Sequence, residues 1–394
     1  MLKENLNVLM VSGWVDQAFT FLRSFSKQQH VNLIVADCWP NSACGHSKYC
    51  KRFHLIPGFE EPEYIPALLD VCRRERIDIV LPVHQEDLIQ IAKSKDLFER
   101  SGFRLPIPDY PLIALSIDKY RMFRLARARG ISTPETHLLS EISPDDLGQH
   151  ITLPVLVKLR SSTGQRGQKK VRSIEDFEAH TLFLLEKHAK DDIIIQEYIP
   201  GTVHDTMYTV GLLYDHDHQL RVCVPLKKIR SRPYTGGTAI CTVADDRLDV
   251  REMAIKLMGI FDQWEGIADV EIKIAPDGQP RFIELNPRPW GSMYGAFAAG
   301  ADFPMLWLKV GLRETIDTSC DFREGVYGSF LSRDLVLLRD LLRKLFNEER
   351  KDVWPVIKTY YRPYISKGRH ANVTSTSDFV LDDLVPFFKN LARF

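Results

Sequence analysis

The chain has 394 residues, with 52 basic and 52 acidic side chains. Such a length exceeds what one hydrophobic core usually serves, so we expect two or three domains. The neutral balance argues against binding to bulk nucleic acid or to an acidic membrane surface. No apolar run approaches the length of a membrane span, and the first residues do not resemble a signal peptide, so we expect a cytoplasmic globular protein.

The first third of the sequence alternates strand and helix patterns. Three apolar runs, at 7–13, 31–37 and 77–83, have the character of buried parallel strands. The amphipathic helical segments between them are at 16–28 and about 62–76. This alternation predicts a small open parallel sheet, whose ligands lie beyond the carboxyl ends of its strands. Gly13 and residues 84–87 stand at that edge. No GxGxxG fingerprint follows Gly13, so we expect no redox cofactor here.

The seven cysteines are an odd and scattered set, which favours reduced thiols over a disulfide framework. Cys38, Cys44, His46 and Cys50 lie close together in the sequence, and each is a competent zinc ligand. Their spacing is irregular and lacks a CxxC pair. We therefore favour ordinary packing of a loop after the second strand, with a zinc site as the alternative.

The pattern changes after a basic helix at 116–130. A strand at 153–160 leads into a glycine-containing loop at 161–167, and a helix at about 174–189 and a strand at 192–201 come after it. A second glycine element lies at 234–239 and a further helix at about 247–262. The last 80 residues are mostly helical, and their charged stretch mixes both signs at helical spacing, as a solvated helix face does.

One hairpin carries the clearest chemical signal. Two alternating strands flank Asp277-Gly278, a pair favoured in tight hairpins. If these two residues form the loop, Glu271 lies opposite Glu284 and Asp269 lies opposite Asn286, and a loop of 276–279 gives the same register. Side chains paired in this way come within about 5 Å of each other on one face of the sheet.

Two carboxylates placed opposite each other repel, and a divalent cation would offset that repulsion. We expect Lys273 to be the only protein cation nearby. Oxygen donors such as Glu271, Glu284 and Asn286 suit magnesium, whose shell also takes water and phosphate oxygens. Arg288 follows at the strand end, where it can meet a phosphate. The alternative is a charged strand that faces solvent.

Two weaker elements accompany the hairpin. Lys158 lies on a strand that leads into the loop 161–167, which resembles phosphate-binding loops in composition although it is not a Walker A motif. An ordinary mobile hairpin would look the same. The strand 192–201 turns out through Pro200-Gly201 and could offer backbone groups to an adenine edge, or it could be a core strand with a turn.

In this order the segments resemble the ATP-grasp superfamily, specifically carboxylate–amine ligases similar to carbamoyl phosphate synthase and biotin carboxylase. The resemblance covers about residues 1–313, and its most specific part is the pattern E…ExNPR. The matching segments are DK at 118–119, VLVKLRSSTGQRG at 155–167, IIIQEYIPG at 193–201, DVEIKI at 269–274 and FIELNPRPWGS at 282–292.

The resemblance implies a mixed α/β and α+β fold. A Rossmann-like preATP-grasp domain would span 1–115, and an ATP-grasp domain would span 116–313. The latter would have a small lobe at about 132–198 and a large lobe at about 199–313, with ATP between them. Residues 314–394 would form a mostly helical C-terminal extension.

The resemblance also implies site residues. Lys119 and Lys158 would contact the ATP phosphates, and Asp205 would hold the ribose. The loop over the phosphates would include Ser161, Ser162, Gly164 and Gly167, and the adenine hinge would be Gln196, Glu197, Tyr198 and Ile199. Two magnesium ions, or manganese in their place, would be held by Glu271, Glu284 and Asn286.

Arg288 would face the transferred phosphoryl group. Arg230 and Arg232, together with Lys228, stand just before the glycine turn at 234–237. They are candidates for anchoring the carboxylate or the γ-phosphate, because the planar guanidinium fork suits both. The alternative for these residues is an exposed basic strand end.

The function implied is ATP-dependent activation of a carboxylate as an acyl phosphate, followed by attack of an amine. A biotin-type carboxylase or another phosphoryl-transfer enzyme on the same scaffold is one alternative, and a non-catalytic nucleotide-binding regulator is another. The partners would be small carboxylate and amine substrates, with neither nucleic acid nor membrane. Relatives are frequently dimeric, which makes a homodimer one of the states to test.

Overall fold

The structure is a computed structural model, and it describes residues 5–142, 152–162, 167–201, 203–232, 237–316, 322–346 and 374–393. These residues form three sheets, one of seven strands and two of four. The mixed α/β and α+β fold expected from the sequence is confirmed.

The first sheet is parallel, with strand order β3-β2-β1-β4. Its elements are β1 (Leu6–Val11), α1 (Asp16–Phe25), β2 (Val31–Asp37), β3 (Cys50–Leu55), α2 (Tyr64–Arg74), β4 (Ile79–Pro82), α3 (Gln85–Lys93) and α4 (Lys95–Arg100). Sequence patterns predicted β1, β2, β4 and the helices between them. They missed β3 because this edge strand is polar and half exposed, without the apolar run that marks a buried parallel strand.

The stretch that contains the clustered cysteines leads into β3. His46 Nε2 lies 2.8 Å from the carbonyl oxygen of Pro40, and the Cys50 thiol donates to the carbonyl of Arg52. Cys44 is buried. Within the described ranges, no group of three or more His, Cys, Asp or Glu side chains has an arrangement that could hold a metal ion.

The second sheet is antiparallel, in the order β5-β8-β6-β7, and its strands lie within the range predicted for the small lobe. Its elements and the helices before it are α5 (Tyr110–Ile117), α6 (Lys119–Ala128), β5 (Thr136–Leu138), β6 (Val155–Leu159), β7 (Lys169–Val171), α7 (Ile174–Leu185) and β8 (Ile193–Glu197). The single basic helix predicted at 116–130 begins instead at Lys119. Asp118 ends α5 and caps α6 by accepting the backbone N–H of Arg121.

The third sheet has the order β13-β12-β9-β10-β11-β14-β15. Its strands are β9 (Met207–Tyr214), β10 (Leu220–Arg232), β11 (Thr238–Ala244), β12 (Gly266–Ile274), β13 (Pro280–Asn286), β14 (Tyr327–Ser329) and β15 (Thr374–Thr376). Its helices are α8 (Val203–Thr206), α9 (Leu248–Met258), α10 (Tyr294–Ala299), α11 (Phe303–Leu312), α12 (Leu331–Phe346) and α13 (Val385–Leu391). The C-terminal extension is mostly helical where it is described, but it also adds β14 and β15 to this sheet.

The N-terminal domain and the large lobe share one hydrophobic core. Phe21 of α1 packs edge-on against Trp307 of α11, and Phe19 packs against Phe330. The small lobe has its own core around Val157 and Phe177. No helix in the described ranges is long and apolar enough to cross a membrane.

Candidate active site

The hairpin β12–β13 pairs its polar residues as the sequence predicted. Glu271 lies opposite Glu284, and Asp269 lies opposite Asn286. All four side chains line one cavity of about 710 Å³ between the second and third sheets. The solvent-facing charged strand that we kept as an alternative does not describe this hairpin, because Asp269 and Asn286 are buried.

The turn of this hairpin differs from the prediction. A two-residue loop of Asp277-Gly278 or a four-residue loop of 276–279 was expected, but the strands end at Ile274 and Pro280, and these two residues pair with each other. That register alone would place Glu284 opposite Val270. A bulge between Glu271 and Ile272 shifts the pairing by one residue and restores the predicted partners. The register at the site was therefore right although the predicted loop was wrong.

The acidic pair has more protein cations around it than we expected. Lys119 Nζ lies 3.1 Å from Glu284 Oε1, so the expectation that Lys273 would be the only nearby cation is wrong. Burial by itself would raise the pKa of Glu284, but Lys119, Lys158 and Arg288 outweigh it and hold that pKa below its ordinary value. Glu284 is thus an ionised carboxylate with a lysine already beside it.

Asp269 lies at the buried end of the acidic pair. Burial and the neighbouring Glu271 raise its pKa to about 7, against the hydrogen bonds from Thr209 and Asn286 and the charge of Arg288. Asn286 is held in a fixed orientation, because its amide nitrogen donates to Asp269 and its Oδ1 accepts from Arg288 Nη2 at 3.2 Å. The sequence suggested no role for Thr209, which carries none of the charge that marks the hairpin.

Lys158 and Lys119 face this patch from the other side of the cavity. Lys158 is on β6 and only 5% exposed. Burial lowers its pKa to about 8, Lys119 contributes in the same direction, and Glu284 and Glu271 oppose them. Lys119 also donates to the carbonyl of Ser162, at the start of the predicted phosphate loop. Two lysines and two glutamates, carried by α6, β6, β12 and β13, thus meet in one cavity.

The predicted adenine hinge forms another wall of the cavity. Gln196 donates from Nε2 to Thr136 Oγ1 at 2.9 Å, and the backbone N–H of Glu197 donates to the carbonyl of Glu135. Lys170 Nζ lies 3.3 Å from the centre of the Tyr198 ring. Lys273 donates to the carbonyl of Ile199 at 2.7 Å, which ties the hinge to the large lobe.

The strand end after Asn286 packs on a residue without a side chain. Trp290 lies on Gly211 of β9, where a methyl group would come within 2.6 Å of Trp290 Cζ2. Arg288 lines the cavity just before this tryptophan and donates from Nη1 to the carbonyl of Pro289. Close packing of Trp290 on bare backbone therefore helps to fix the segment that carries Arg288.

The three basic residues of β10 that the sequence singled out have different surroundings. Lys228 and Arg232 line the cavity. Arg230 is 3% exposed, so the alternative of an exposed strand end is wrong for this residue. We expected Arg230 to contact a substrate, but its Nε and Nη2 donate to the two carboxylate oxygens of Asp334 in α12, at 3.0 and 2.9 Å. It is absent from the described lining of the cavity.

Some of the remaining predicted site residues lie outside the part of the chain that the structure describes. Gly164 falls outside the described residues, as do 234–236 of the second glycine element. Ser162 lines the cavity, whereas Ser161 and Gly167 do not belong to its described lining. Asp205 is part of the short helix α8, and its side chain lies outside the described part of the structure.

The donor set fits a metal ion that arrives with a phosphate ligand. Magnesium usually takes one or two carboxylates and completes its shell with water and phosphate oxygens. Glu271 and Glu284, with the amide oxygen of Asn286, meet that requirement. They are less suited to bind a metal ion before the nucleotide arrives, because Lys119 already contacts Glu284 and Arg288 already contacts Asn286.

Two family models match the chain. Residues 8–105 match the family described as PylC-like, N-terminal domain, and residues 116–292 match the ATP-grasp domain. The chain is 26% identical over 235 residues to a formate-dependent phosphoribosylglycinamide formyltransferase of Ignicoccus hospitalis, across 56% of each chain. It is 27% identical over 219 residues to a D-alanine–D-alanine ligase of Nitrosospira multiformis, across 50% of this chain and 66% of the other.

These alignments span only about half to two thirds of the curated relatives' lengths. Among solved structures, the biotin carboxylase domain of Hydrogenobacter thermophilus 2-oxoglutarate carboxylase superposes with a TM-score of 0.65 and 17% identity, across 82% of this chain and 74% of that one. At this identity the likeness concerns the fold alone. The resemblance noted in the sequence is confirmed: the chain carries a PylC-like N-terminal domain at residues 8–105, followed by an ATP-grasp domain at residues 116–292.

Proposed function

We propose that this protein is an ATP-dependent carbon–nitrogen ligase that activates a carboxylate as an acyl phosphate and joins it to an amine. The observation that carries the proposal is the single cavity in which the Glu271–Glu284 pair faces Lys119 and Lys158. ATP-grasp relatives with ligase names, such as the D-alanine–D-alanine ligase, support it.

In this proposal each wall of the cavity has one task. The segment Gln196–Ile199 receives the adenine, and Lys119 and Lys158 bind the phosphates. Glu271, Glu284 and Asn286 hold magnesium, with two ions as the number to test. Bound magnesium would neutralise phosphate charge, which is the main requirement of phosphoryl transfer.

The protein residues supply position and charge rather than a nucleophile. Arg288 presents a planar guanidinium to the transferred phosphoryl group, and Asn286 Oδ1 keeps that guanidinium oriented. Lys119 leaves Glu284 for a phosphate oxygen when the nucleotide binds. Because an acyl phosphate hydrolyses in water, the walls of the cavity must also exclude water until the amine attacks.

A biotin-type carboxylase is the second candidate, because the biotin carboxylase domain among the structural neighbours has the same fold. Both enzymes would use the same nucleotide site and differ in what attacks or accepts the activated group. A regulator that binds nucleotide without turnover is the third. The presence of Lys158, both glutamates and Arg288 together argues against it, because binding alone does not need the full set.

ADP release in the presence of magnesium tests these candidates, with panels of carboxylates and amines and with bicarbonate. We expect release that requires both a carboxylate and an amine. Release that requires bicarbonate and no amine would assign the carboxylase reaction instead. Nucleotide binding with no release under any condition would leave only the regulator. Light scattering of the same sample would test whether the protein is a homodimer.

A further inference from the structure

The C-terminal extension reaches the wall of the nucleotide cavity through two aspartates of α12. Asp334 makes the bidentate pair with Arg230, and these side chains are 1% and 4% exposed. Asp340, further along the helix, accepts from Arg232 Nε at 3.1 Å, and this pair is 35% and 28% exposed. One helix therefore contacts two neighbouring arginines of β10 in two different environments.

The strand itself explains why the two arginines differ. Residues 228, 230 and 232 would share one face of a regular strand. The pairing of β10 with β11 is shifted between Lys228 and Arg230 and again between Arg230 and Ser231. Such irregularities redirect side chains. Arg230 is thereby turned into the interior, while Arg232 lines the cavity.

The first turn of α12 is fixed more firmly than the rest of the helix. The carboxylate of Asp378 accepts the backbone N–H groups of Leu331 and Ser332 at 2.8 and 3.0 Å. The preceding residue, Phe330, donates its backbone N–H to Ile240 of β11. Asp334 thus stands on a helix start that is joined to the same sheet as Arg230. A buried bidentate pair between two anchored elements has little freedom to change partner.

The Arg232–Asp340 pair has the opposite character. It is partly solvated, and one of its members already lines the cavity. An exposed ion pair contributes little by itself, so a more highly charged anion can replace the carboxylate at small cost. The terminal phosphate of a nucleotide is such an anion. Asp340 would then compete with the nucleotide for Arg232.

We propose that Asp334 is a positioning residue for the nucleotide site and that Asp340 is a competitor within it. Asp334 holds Arg230 and the end of β10 in place, and Arg232 exchanges Asp340 for the terminal phosphate. This inference rests on the proposed ATP-dependent function. It assigns the C-terminal extension a part in nucleotide binding, and it makes Arg230 a structural arginine.

Two isosteric variants give opposite predictions. Asp334→Asn should weaken binding of magnesium AMP-PNP about tenfold or more, because the end of β10 loses its fixed position. Asp340→Asn should tighten it about threefold, because Arg232 loses a competing carboxylate. Magnesium ADP, which lacks the terminal phosphate, should bind within about twofold of wild type in both variants. Titration calorimetry measures all of these constants.

A matched control separates positioning from general stability. Asp383 makes another buried pair from the same extension, with Arg23 of the N-terminal domain at 3.2 Å. Asp383→Asn should lower the melting temperature and leave both nucleotide affinities unchanged. The inference is overturned if Asp334→Asn and Asp340→Asn shift AMP-PNP binding in the same direction, or if ADP binding moves as much as AMP-PNP binding.

A double variant covers the case in which Asp334→Asn does not fold. Arg230→Met with Asp334→Leu removes both buried charges together, which proteins often tolerate without loss of stability. Weakened AMP-PNP binding in this folded variant supports the inference, and wild-type affinity refutes it. If the wild-type protein binds neither nucleotide, the ATP-dependent function itself is wrong. If it binds both but releases no ADP with any substrate, only the ligase assignment fails.

Discussion

Among single residues, Glu284 links the acidic pair of the hairpin to the lysines of the cavity. It lies opposite Glu271 in the hairpin and forms an ion pair with Lys119. The identity of the residue and its cross-strand partner followed from the alternation of the strand. The lysine did not, because positions 119 and 284 are far apart in the sequence and only the tertiary fold brings them together.

Replacing Glu284 by alanine should reduce ADP release by about 10²-fold or more, because in the proposed function the change removes a charge that would hold magnesium beside the phosphates. The fold should remain, since the side chain faces the cavity and not the core. Steady-state ADP release and far-UV circular dichroism measure the two effects. Asp277→Ala, in the exposed turn of the same hairpin, is the control and should keep wild-type rates. A near-normal rate for Glu284→Ala would remove the metal assignment.

Arg288→Lys tests whether the site needs the planar shape of the guanidinium group in addition to its positive charge. A lysine keeps the positive charge but loses the planar fork that Asn286 orients. We expect kcat to fall about tenfold or more, because a point charge cannot make the same bidentate contact. The measurement is the same ADP-release assay under saturating substrate. Unchanged kinetics would assign the phosphoryl contact to another cation of the cavity.

The lowered pKa of Lys158 predicts that nucleotide binding is linked to proton uptake. Its pKa of about 8 means that it is largely neutral above that pH in the free protein. Bound phosphates favour the charged form and raise the pKa, so binding must take up a proton. The affinity for magnesium ATP should therefore decrease as the pH rises through about 8, whereas binding near pH 6.5 should involve little uptake.

Calorimetry in buffers of different ionisation enthalpy measures this uptake. Lys158→Arg is the matched variant, because arginine stays charged throughout this pH range. It should bind nucleotide with less proton uptake at pH 8.5. Equal uptake in the variant and the wild type would assign the linked proton to another group, such as Lys273, whose pKa burial also lowers to about 8.

Between elements, the contact of β9 with the strand end after β13 determines where Arg288 stands. The pattern of strands could be predicted from the sequence, including the paired residues of the hairpin. The bulge in β12–β13 and the bare patch at Gly211 could not, because each depends on what packs across the sheet. Nothing in the sequence distinguishes Gly211 from other strand glycines, and only the fold shows that Trp290 packs against it.

Gly211→Ala should destabilise the protein by about 1–3 kcal/mol, because the new methyl group overlaps the indole of Trp290. Weaker nucleotide binding should accompany the loss, since Arg288 precedes that tryptophan. Thermal unfolding and AMP-PNP titration measure the two effects. Adding Trp290→Phe removes the overlapping indole atoms and should restore part of the stability. A Gly211→Ala variant as stable as wild type would contradict the packing argument.

For the whole molecule, the division of the core is the main finding that the sequence did not suggest. The domain boundaries predicted at 115 and 313 stay predictions, but one hydrophobic core crosses both of them. Side chains of the N-terminal domain pack with Trp307 and Phe330, while the small lobe has a separate core. A shared core joins the N-terminal domain and the large lobe into one cooperative unit. The small lobe has a core of its own on one side of its sheet and contributes Leu138 and Ile194 to a further core with the large lobe.

A fragment of residues 1–115 should therefore fail to unfold cooperatively. Without the large lobe, the outer face of α1 with Phe19 and Phe21 would be exposed to water. Differential scanning calorimetry of the fragment should show no sharp transition, in contrast to the full chain as control. A cooperative transition in the isolated fragment would show that the shared core is not needed for folding of this domain.

The sequence by itself determined which residues form the acidic patch, because side chains in a strand alternate with a period of two and a hairpin brings near neighbours into register. The tertiary structure alone decided which cations meet that patch and which arginine is buried. Lys119 contacts Glu284, and Arg230 pairs with Asp334, only after three sheets and the extension have packed. Such contacts depend on the packing of distant segments, for which a single sequence contains no local pattern.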